Sequence, residues 1–314
     1  MSTITSTFVV HSPRDAIRVV FAALAIAFLV AFALVQITPF ALTIANSFKC
    51  DAAVENRPMP FIPRLETVTR RDEAGVFISA EEQVDGIFFR PSVDGYRKIL
   101  DSQLPRWVFN TAFLSIVVTI LRLLFDSMAG YALARLRFPG NRVLFFVVLG
   151  TMMIPGVVLL IPRFLLLKQL GLLNTYQGYI IVLAADAFGI LLMKQFFESI
   201  PQEVEEAAMV DGANRYVIFF RIVLPMATPA LTALTIFGFQ GNWNNFMDAL
   251  IILGGDTDLY NLPLGLTVLR GSGLDVQYDL VLAGSVITTL PMAVIFFIFQ
   301  RYFVEGISYS GLKG

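Results

Sequence analysis

The side chains able to do chemistry in this 314-residue chain are few. One cysteine, Cys50, and one histidine, His11, exclude an internal disulfide, a Cys/His metal site and a histidine-based triad. No Gly-Lys dipeptide occurs, so the chain lacks a G-x-x-x-x-G-K-[ST] loop to cradle nucleotide phosphates. A net charge of -1 without a basic block leaves no footprint for nucleic acid. What remains is recognition chemistry. Arg122, Asp126 and Asp186 interrupt long apolar runs, where ionisable groups are functional candidates. Gln240, Asn242, Trp243, Asn244, Asn245 and Asp248 set amides and an indole beside Gly238 and Gly241. That combination suits a sugar, which needs hydrogen bonds and a flat apolar face. It equally suits hydrogen bonding between helices or an interfacial tryptophan anchor, and both readings stand. A third feature is the polar, alanine-containing stretch EEAAMVDGANRYVIFFRIVLP at 205–225.

The elements that carry these residues are membrane spans. Hydrophobic residues make up 56% of the chain, 29 of them Phe, and the mean hydropathy is +0.72, outside the range of soluble domains. Charge-free runs at Val19 to Phe48, Val143 to Pro162, Ile222 to Met247 and Leu280 to Gln300 reach the length needed to cross hydrocarbon. Two further runs contain charge: Trp107 to about Leu133 holds Arg122 and Asp126, and Gln169 to Met193 holds Asp186. The runs are continuous rather than alternating, so the fold class is all-α and polytopic, with six transmembrane helices. Arg122 and Asp126, four apart on one helix face, can pair with each other. Asp186 has no local partner and either contacts another helix or lines a pathway. Pro155, Pro162 and Pro291 mark kinks within spans.

Basic residues set the orientation. Arg14 and Arg18, then Arg135, Arg137 and Arg142, then Lys194, Arg215 and Arg221, then Arg301 and Lys313 all fall on one side of a six-span arrangement. That side is cytoplasmic, with both termini inside. The opposing short loops hold only Arg163, Lys168 and Arg270. The organisation is then 1–48, N-terminus and first span; 49–106, a proline-containing extracytoplasmic insertion of irregular structure; 107–302, spans two to six; and 303–314, a cytoplasmic tail loosened by Gly306, Gly311 and Gly314. The first apolar run exceeds the h-region of a cleavable signal peptide, so it is expected to remain as a span.

Within the cytoplasmic loop 198–225, Ser199, Pro201 and Gln202 form a capping-box start, and helix formers follow to Val210. Asp211-Gly212 supplies the stop, and a second helix runs from about Ala213 to Leu224 before Pro225. Ala207 and Ala208 leave one surface open to close approach. Glu206-Ala207-Ala208, three residues, Gly212, nine residues and Ile222-Val223-Leu224-Pro225 resemble the E-A-A-x-x-x-G-x₉-I-x-L-P signature of inner-membrane permeases of binding-protein-dependent ABC importers. The resemblance covers most of the chain from Asn110 onward. It includes SMAGYALARLRFPGN at 127–141, FQGNWNNFMDALIIL at 239–253, similar to the carbohydrate-uptake branch, and QRYFVEGISYSGLKG, similar to the tail of the smaller maltose-type permease.

The resemblance implies a type I ABC importer permease fold and a coupling loop that docks on ATPase subunits. On that basis Glu206, Ala207, Ala208, Asp211, Gly212, Ile222, Leu224 and Pro225 are the coupling residues, with Glu206 making a polar contact or cap. Asn242, Trp243, Asn244 and Asn245 are pathway candidates, although the partner permease carries the main sugar contacts in the maltose-type system. Ser308, Gly311 and Lys313 are candidates for the ATPase-interface tail. The implied partners are a second permease subunit, two ATPase subunits, an extracytoplasmic solute-binding protein and membrane lipid. ATP and Mg belong to the ATPase subunits; this chain carries no cofactor, metal site or catalytic residue. The rival is an ion-coupled secondary transporter or channel, for which Asp186 is the suggestive carboxylate. A membrane enzyme is disfavoured because no nucleophile, base and metal constellation is present.

Overall fold

The computed structural model describes residues 13–48, 69–71, 77–79, 93–269 and 278–311. His11, Cys50, Arg270 and Lys313 lie outside them, as does most of 49–106. The chain divides into two units, Met1–Gly95 and Tyr96–Gly314.

In the first unit, α1 spans Pro13–Ser47, and its Val19–Ser47 portion is long and apolar enough to cross a membrane. Its hydrophobic side chains, from Phe21 to Ile44, are exposed on every face, which suits a hydrocarbon environment. Thr38 and Thr43 return their hydroxyl protons to the carbonyls of Leu34 and Pro39, so neither is left unsatisfied. The insertion is not wholly irregular: β1 (Thr69–Arg71) pairs antiparallel with β2 (Phe77–Ser79), Arg70 opposite Ile78. These two short strands are the departure from an all-α chain among the described residues.

The second unit is helical. After α2 (Asp94–Leu100), α3 runs unbroken through Leu104–Arg135, opening with Pro105 in its first turn, where a missing N–H costs nothing. Asn141 closes it, its side-chain amide directed at the carbonyls of Ala132, Leu133 and Leu136. Then follow α4 (Asn141–Met152), a 3-10 turn at Gly156–Leu159, α5 (Leu160–Gln169), α6 (Tyr176–Leu183) and α7 (Ala187–Ser199). Beyond these lie α8 (Gln202–Val210), α9 (Arg215–Met226), α10 (Thr228–Trp243), α11 (Met247–Leu253), α12 (Leu262–Leu269) and α13 (Tyr278–Gly311).

Three helices, in α1, α3 and α13, are single candidate spans, and three more candidates are bent pairs, giving six if each pair is one span. The bend at Pro155 is the kink expected there, while the other two revise straight runs expected from sequence. Asn141–Met152 meets Gly156–Gln169 at 99°. Pro155 sits in the extended region there, and a proline both lacks a donor and biases its predecessor away from helix. The run from Gln169 is interrupted until Tyr176, because Gly171 and Asn174 take positive φ values of 67° and 53° and Thr175 then caps α6 through Gly178 N. Arg215–Met226 and Thr228–Trp243 meet at 78° between Pro225 and Pro229, so the apolar run Ile222 to Met247 is sharply bent rather than one straight helix. Residues Ile218–Val223 of α9 widen to π geometry just ahead of Pro225, whose absent N–H frees the Arg221 carbonyl. The tail also differs: α13 passes through Pro291 and Gly306 to Gly311, leaving Ser308 and Gly311 helical.

The long helix α3 organises the packing. At one end Leu104 and Trp107 join Trp243, Leu262 and Leu280; midway Leu114 and Val118 join Leu167, Tyr179, Ile252 and Leu253. At the other end Tyr131 joins Phe197, Phe219 and Val223. Its crossing with α7 is close because Gly130 and Gly189 have no side chain: a Cβ on Gly130 would stand 2.8 Å from Met193 Cβ and 2.9 Å from Lys194 N.

Candidate functional site

The stretch 205–225 folds as helix, turn and helix, with a start different from that expected. Ser199 ends α7 and donates its hydroxyl proton to Phe196 O, so it does not cap α8; Pro201 occupies the N-cap position. The stop is where the sequence places it. Gly212 adopts φ +85°, its N–H donates to Met209 O at 3.1 Å, and Ala213 N–H reaches Ala208 O at 2.9 Å. This paired closure is the Schellman motif, and the left-handed residue it requires explains the glycine. Asn214 then caps α9, accepting from Val217 N at 2.9 Å.

Helical phase separates the signature residues. Glu206, Ala207, Asp211 and Gly212 are exposed, as are Val210 and Tyr216, whereas Ala208 is buried in the apolar cluster of Tyr131 and Phe197. The two alanines therefore do not share one surface, since neighbours on a helix point about 100° apart. Ile222 and Leu224 are half-buried, Val223 is fully buried, and Pro225 is exposed at the bend. The Glu206 side chain makes no cap or ion pair among the described residues.

The carboxylate that the fold engages is its neighbour, Glu205. Arg135 Nε lies 2.9 Å from Glu205 Oε1, and both side chains are only 5% exposed. The contact is an ion pair off the hydrogen-bond axis, so neither atom has an aligned hydrogen bond. Tyr131 donates its hydroxyl proton to Oε2 at 3.0 Å, and Arg215 Nη1 stands 3.6 Å from the same oxygen. Arg135 Nη2 also donates to Phe197 O at 2.6 Å and to Ile200 O, closing the end of α7. A rigid guanidinium fork can serve carboxylate and carbonyls together, which a lysine cannot. Sequence reasoning missed this cluster. Its signal was the spacing of Tyr131 and Arg135 on one helix face, and of Glu205 and Ala208 on another.

The charges inside the spans are arranged differently from the expected Arg122–Asp126 pair. Arg122 Nε donates to Leu183 O at 2.9 Å, and its Nη1 stands 3.8 Å from Asp186 Oδ2. Asp126 Oδ1 accepts the Asp186 backbone N–H at 3.0 Å. Both side chains of α3 thus serve the gap between α6 and α7, where a carbonyl and an N–H are freed by the break. Asp186, without a local partner in sequence, is held by another helix. Asp126 is fully buried, with Oδ2 unpartnered and pressed against Gly189.

The amide group also divides. Asn242 is buried and donates to Gly238 O at 2.7 Å within its own helix. Trp243, 3% exposed, stacks on Phe239 at 5.5 Å and donates Nε1–H to Thr288 O on α13 at 3.2 Å. Asn244 is exposed and donates to Gln240 O at 3.0 Å. Asn245 exchanges two hydrogen bonds with Asp248, whose Oδ1 is 2.8 Å from Arg163 Nη1. Arg163, placed by sequence in a short loop, is a helical residue of α5 that pairs with α11.

A helical unit of broken membrane spans around α3, with an exposed Schellman-terminated helix at one end, has the architecture of an importer's membrane component. The profile described as binding-protein-dependent transport system inner membrane component matches residues 126–309, and the chain belongs to this family. It is 41% identical over 208 residues to the arabinooligosaccharides transport system permease protein AraQ of Halalkalibacterium halodurans, covering 66% of this chain and 74% of that protein. It is 30% identical over 231 residues to the trehalose/maltose transport system permease protein MalG of Thermococcus litoralis, covering 72% and 83%. Among solved structures, a bacterial ABC transporter involved in the import of the acidic polysaccharide alginate aligns with TM-score 0.75 and 26% identity, over 94% of this chain and 99% of that one. The permease fold expected from the resemblance is thereby established.

Proposed function

We propose that this chain is one half of the translocation path of an ATP-driven importer for a sugar, oligosaccharide or polyol. It works with a second permease subunit, two ATPase subunits and an extracytoplasmic solute-binding protein. ATP and Mg are bound by the ATPase subunits, and this chain breaks no bond itself. The α8–α9 turn and both termini face the cytoplasm. The observation that carries the reading is the exposed edge formed by Glu206, Ala207, Asp211 and Gly212, ended by a turn that only glycine adopts at low cost. Such an edge admits a partner's cleft, with Glu206 free to meet a cation there. Ile222, Leu224 and Pro225 lie in the coupling loop where α9 meets α10, and Ser308, Gly311 and Lys313 are the tail residues assigned to the ATPase interface. Asn244 offers its exposed amide to substrate, while Asn242, Trp243 and Asn245 bond within the fold. Asp186, the carboxylate on which the ion-coupled alternative leaned, stands 3.8 Å from Arg122.

The test is Gly212→Val in the assembled complex. Beyond its chain neighbours no atom of this chain lies within 4 Å of a Cβ built at Gly212, so within the chain the substitution acts through backbone strain. That strain is of order 1–3 kcal/mol, and Gly212→Asn is milder because asparagine tolerates the left-handed region. ATP-driven uptake is expected to fall at least tenfold for the valine variant and less for asparagine, with ligand binding to the soluble receptor unchanged. Normal uptake by Gly212→Val would overturn the reading.

A further inference from the structure

We propose that the Glu205 carboxylate is the joint that fixes the coupling helix to the long span α3, making Glu205, Arg135 and Tyr131 positioning residues for energy coupling; this rests on the importer reading above. The geometry points to it in three ways. First, Glu205 is buried on the side of α8 opposite the exposed edge, so a partner can hold Ala207 and Gly212 while the carboxylate stays engaged. Second, its ligands converge from two elements: Arg135 and Tyr131 from the end of α3, and Arg215 from α9 beyond the turn. The carboxylate thus ties the helix to its successor as well as to the span. Third, α3 carries polar attachments at every level. Arg135 binds the end of α7, and Arg122 and Asp126 bind the α6–α7 gap. At its far end, Trp107 Nε1 donates to Thr257 O at 2.8 Å and Asn110 to Asp258 O and Tyr260 O at 2.9 Å.

The three bent spans cannot act as rods, because each contains a break at which displacement is absorbed as bending. The unbroken α3 can. A push on α8 delivered through Glu205 moves α3 as a body and arrives at the 257–260 segment. Delivered through the α8–α9 turn alone, it enters a helix that bends 78° at Ala227. Loss of the joint therefore separates ATP turnover from transport instead of reducing both together.

The experiment uses the full complex in proteoliposomes, with uptake and ATP hydrolysis measured on the same preparation and normalised to intact complex. Glu205→Gln keeps the shape but removes the charge that Arg135 faces, and it is expected to lower substrate transported per ATP by tenfold or more. Tyr131→Phe removes one hydrogen bond, keeps the ring between Phe197 and Phe219, and is expected to lower the same ratio two- to fivefold at wild-type assembly. Should Glu205→Gln fail to assemble, Tyr131→Phe decides. A wild-type ratio in Tyr131→Phe, or uptake and hydrolysis falling in parallel in either variant, overturns the joint. If the wild-type chain co-purifies with no ATPase, the importer reading itself fails, which is a distinguishable outcome.

Discussion

Replacing Trp243 by alanine separates support from substrate contact in the amide-rich segment. The indole is 3% exposed, packed with Ile99, Leu104, Trp107, Leu262 and Leu280, stacked on Phe239 and hydrogen-bonded to Thr288 on α13. Truncating a buried aromatic to alanine costs about 3–5 kcal/mol, with about 1 kcal/mol of that scale attributable to a hydrogen bond. Trp243→Phe retains a stacking ring and loses the Nε1–H donor, so its cost is nearer the hydrogen-bond figure of about 1 kcal/mol. The expected result is a melting point for the detergent-solubilised complex lowered by several degrees in the alanine variant and slightly in the phenylalanine variant. Uptake per intact complex stays within about twofold of wild type, a difference of about 0.4 kcal/mol in the barrier. An unchanged melting point with uptake abolished in Trp243→Ala would refute the reasoning, because a ring that can be removed without loss of stability is not holding α10 to α13.

Two predictions use other positions. In a Cys50→Ser background, cysteine at Ser79 is expected to label from outside and cysteine at Asn214 from inside; labelling of both from one side would overturn the orientation. Gly189→Ala is expected to reduce recovery of monodisperse complex severalfold, since its Cβ would collide with Asp126 Oδ2 and stand 2.9 Å from Leu234 Cδ1. Gly238→Ala, whose nearest neighbours are atoms of Thr119 at 3.7 Å, is the control that leaves size-exclusion profiles unchanged. Equal recovery of the two variants would remove the close-crossing argument.

The fold was legible where a one-dimensional property sufficed. Apolar run length located the spans, and Gly212 located a turn because one residue type dominates left-handed helix ends. Bends were less legible. Pro155 announced one, but the break at Ala227 depends on Pro225 and Pro229 acting from both sides, together with a π segment that no residue type specifies. The partners of Arg122, Asp126 and Glu205 were not legible, because i,i+4 spacing exposes contacts within a helix while these contacts join residues 60 to 74 positions apart. In the signature itself, spacing picked out Glu206, whereas the helical phase of α8 decides which glutamate is buried. Trp243 and Asn244 read alike in sequence and differ in the fold by one helical step, enough to bury one and expose the other.

The attachment of α6 and α7 to α3 has a consequence for biogenesis. Arg122 and Asp126 are synthesised ahead of the segment they hold, since Leu183 and Asp186 follow 61 and 60 residues later. At translation rates of about 5–20 residues per second, α3 waits roughly 3–12 seconds for those groups to emerge. In that interval two ionisable side chains sit in a nascent span without their final ligands. Their spacing of one helical turn lets each neutralise the other until α6 and α7 arrive. The i,i+4 spacing can thus serve α3 before its neighbours exist, and the finished fold turns the same two side chains to α6 and α7.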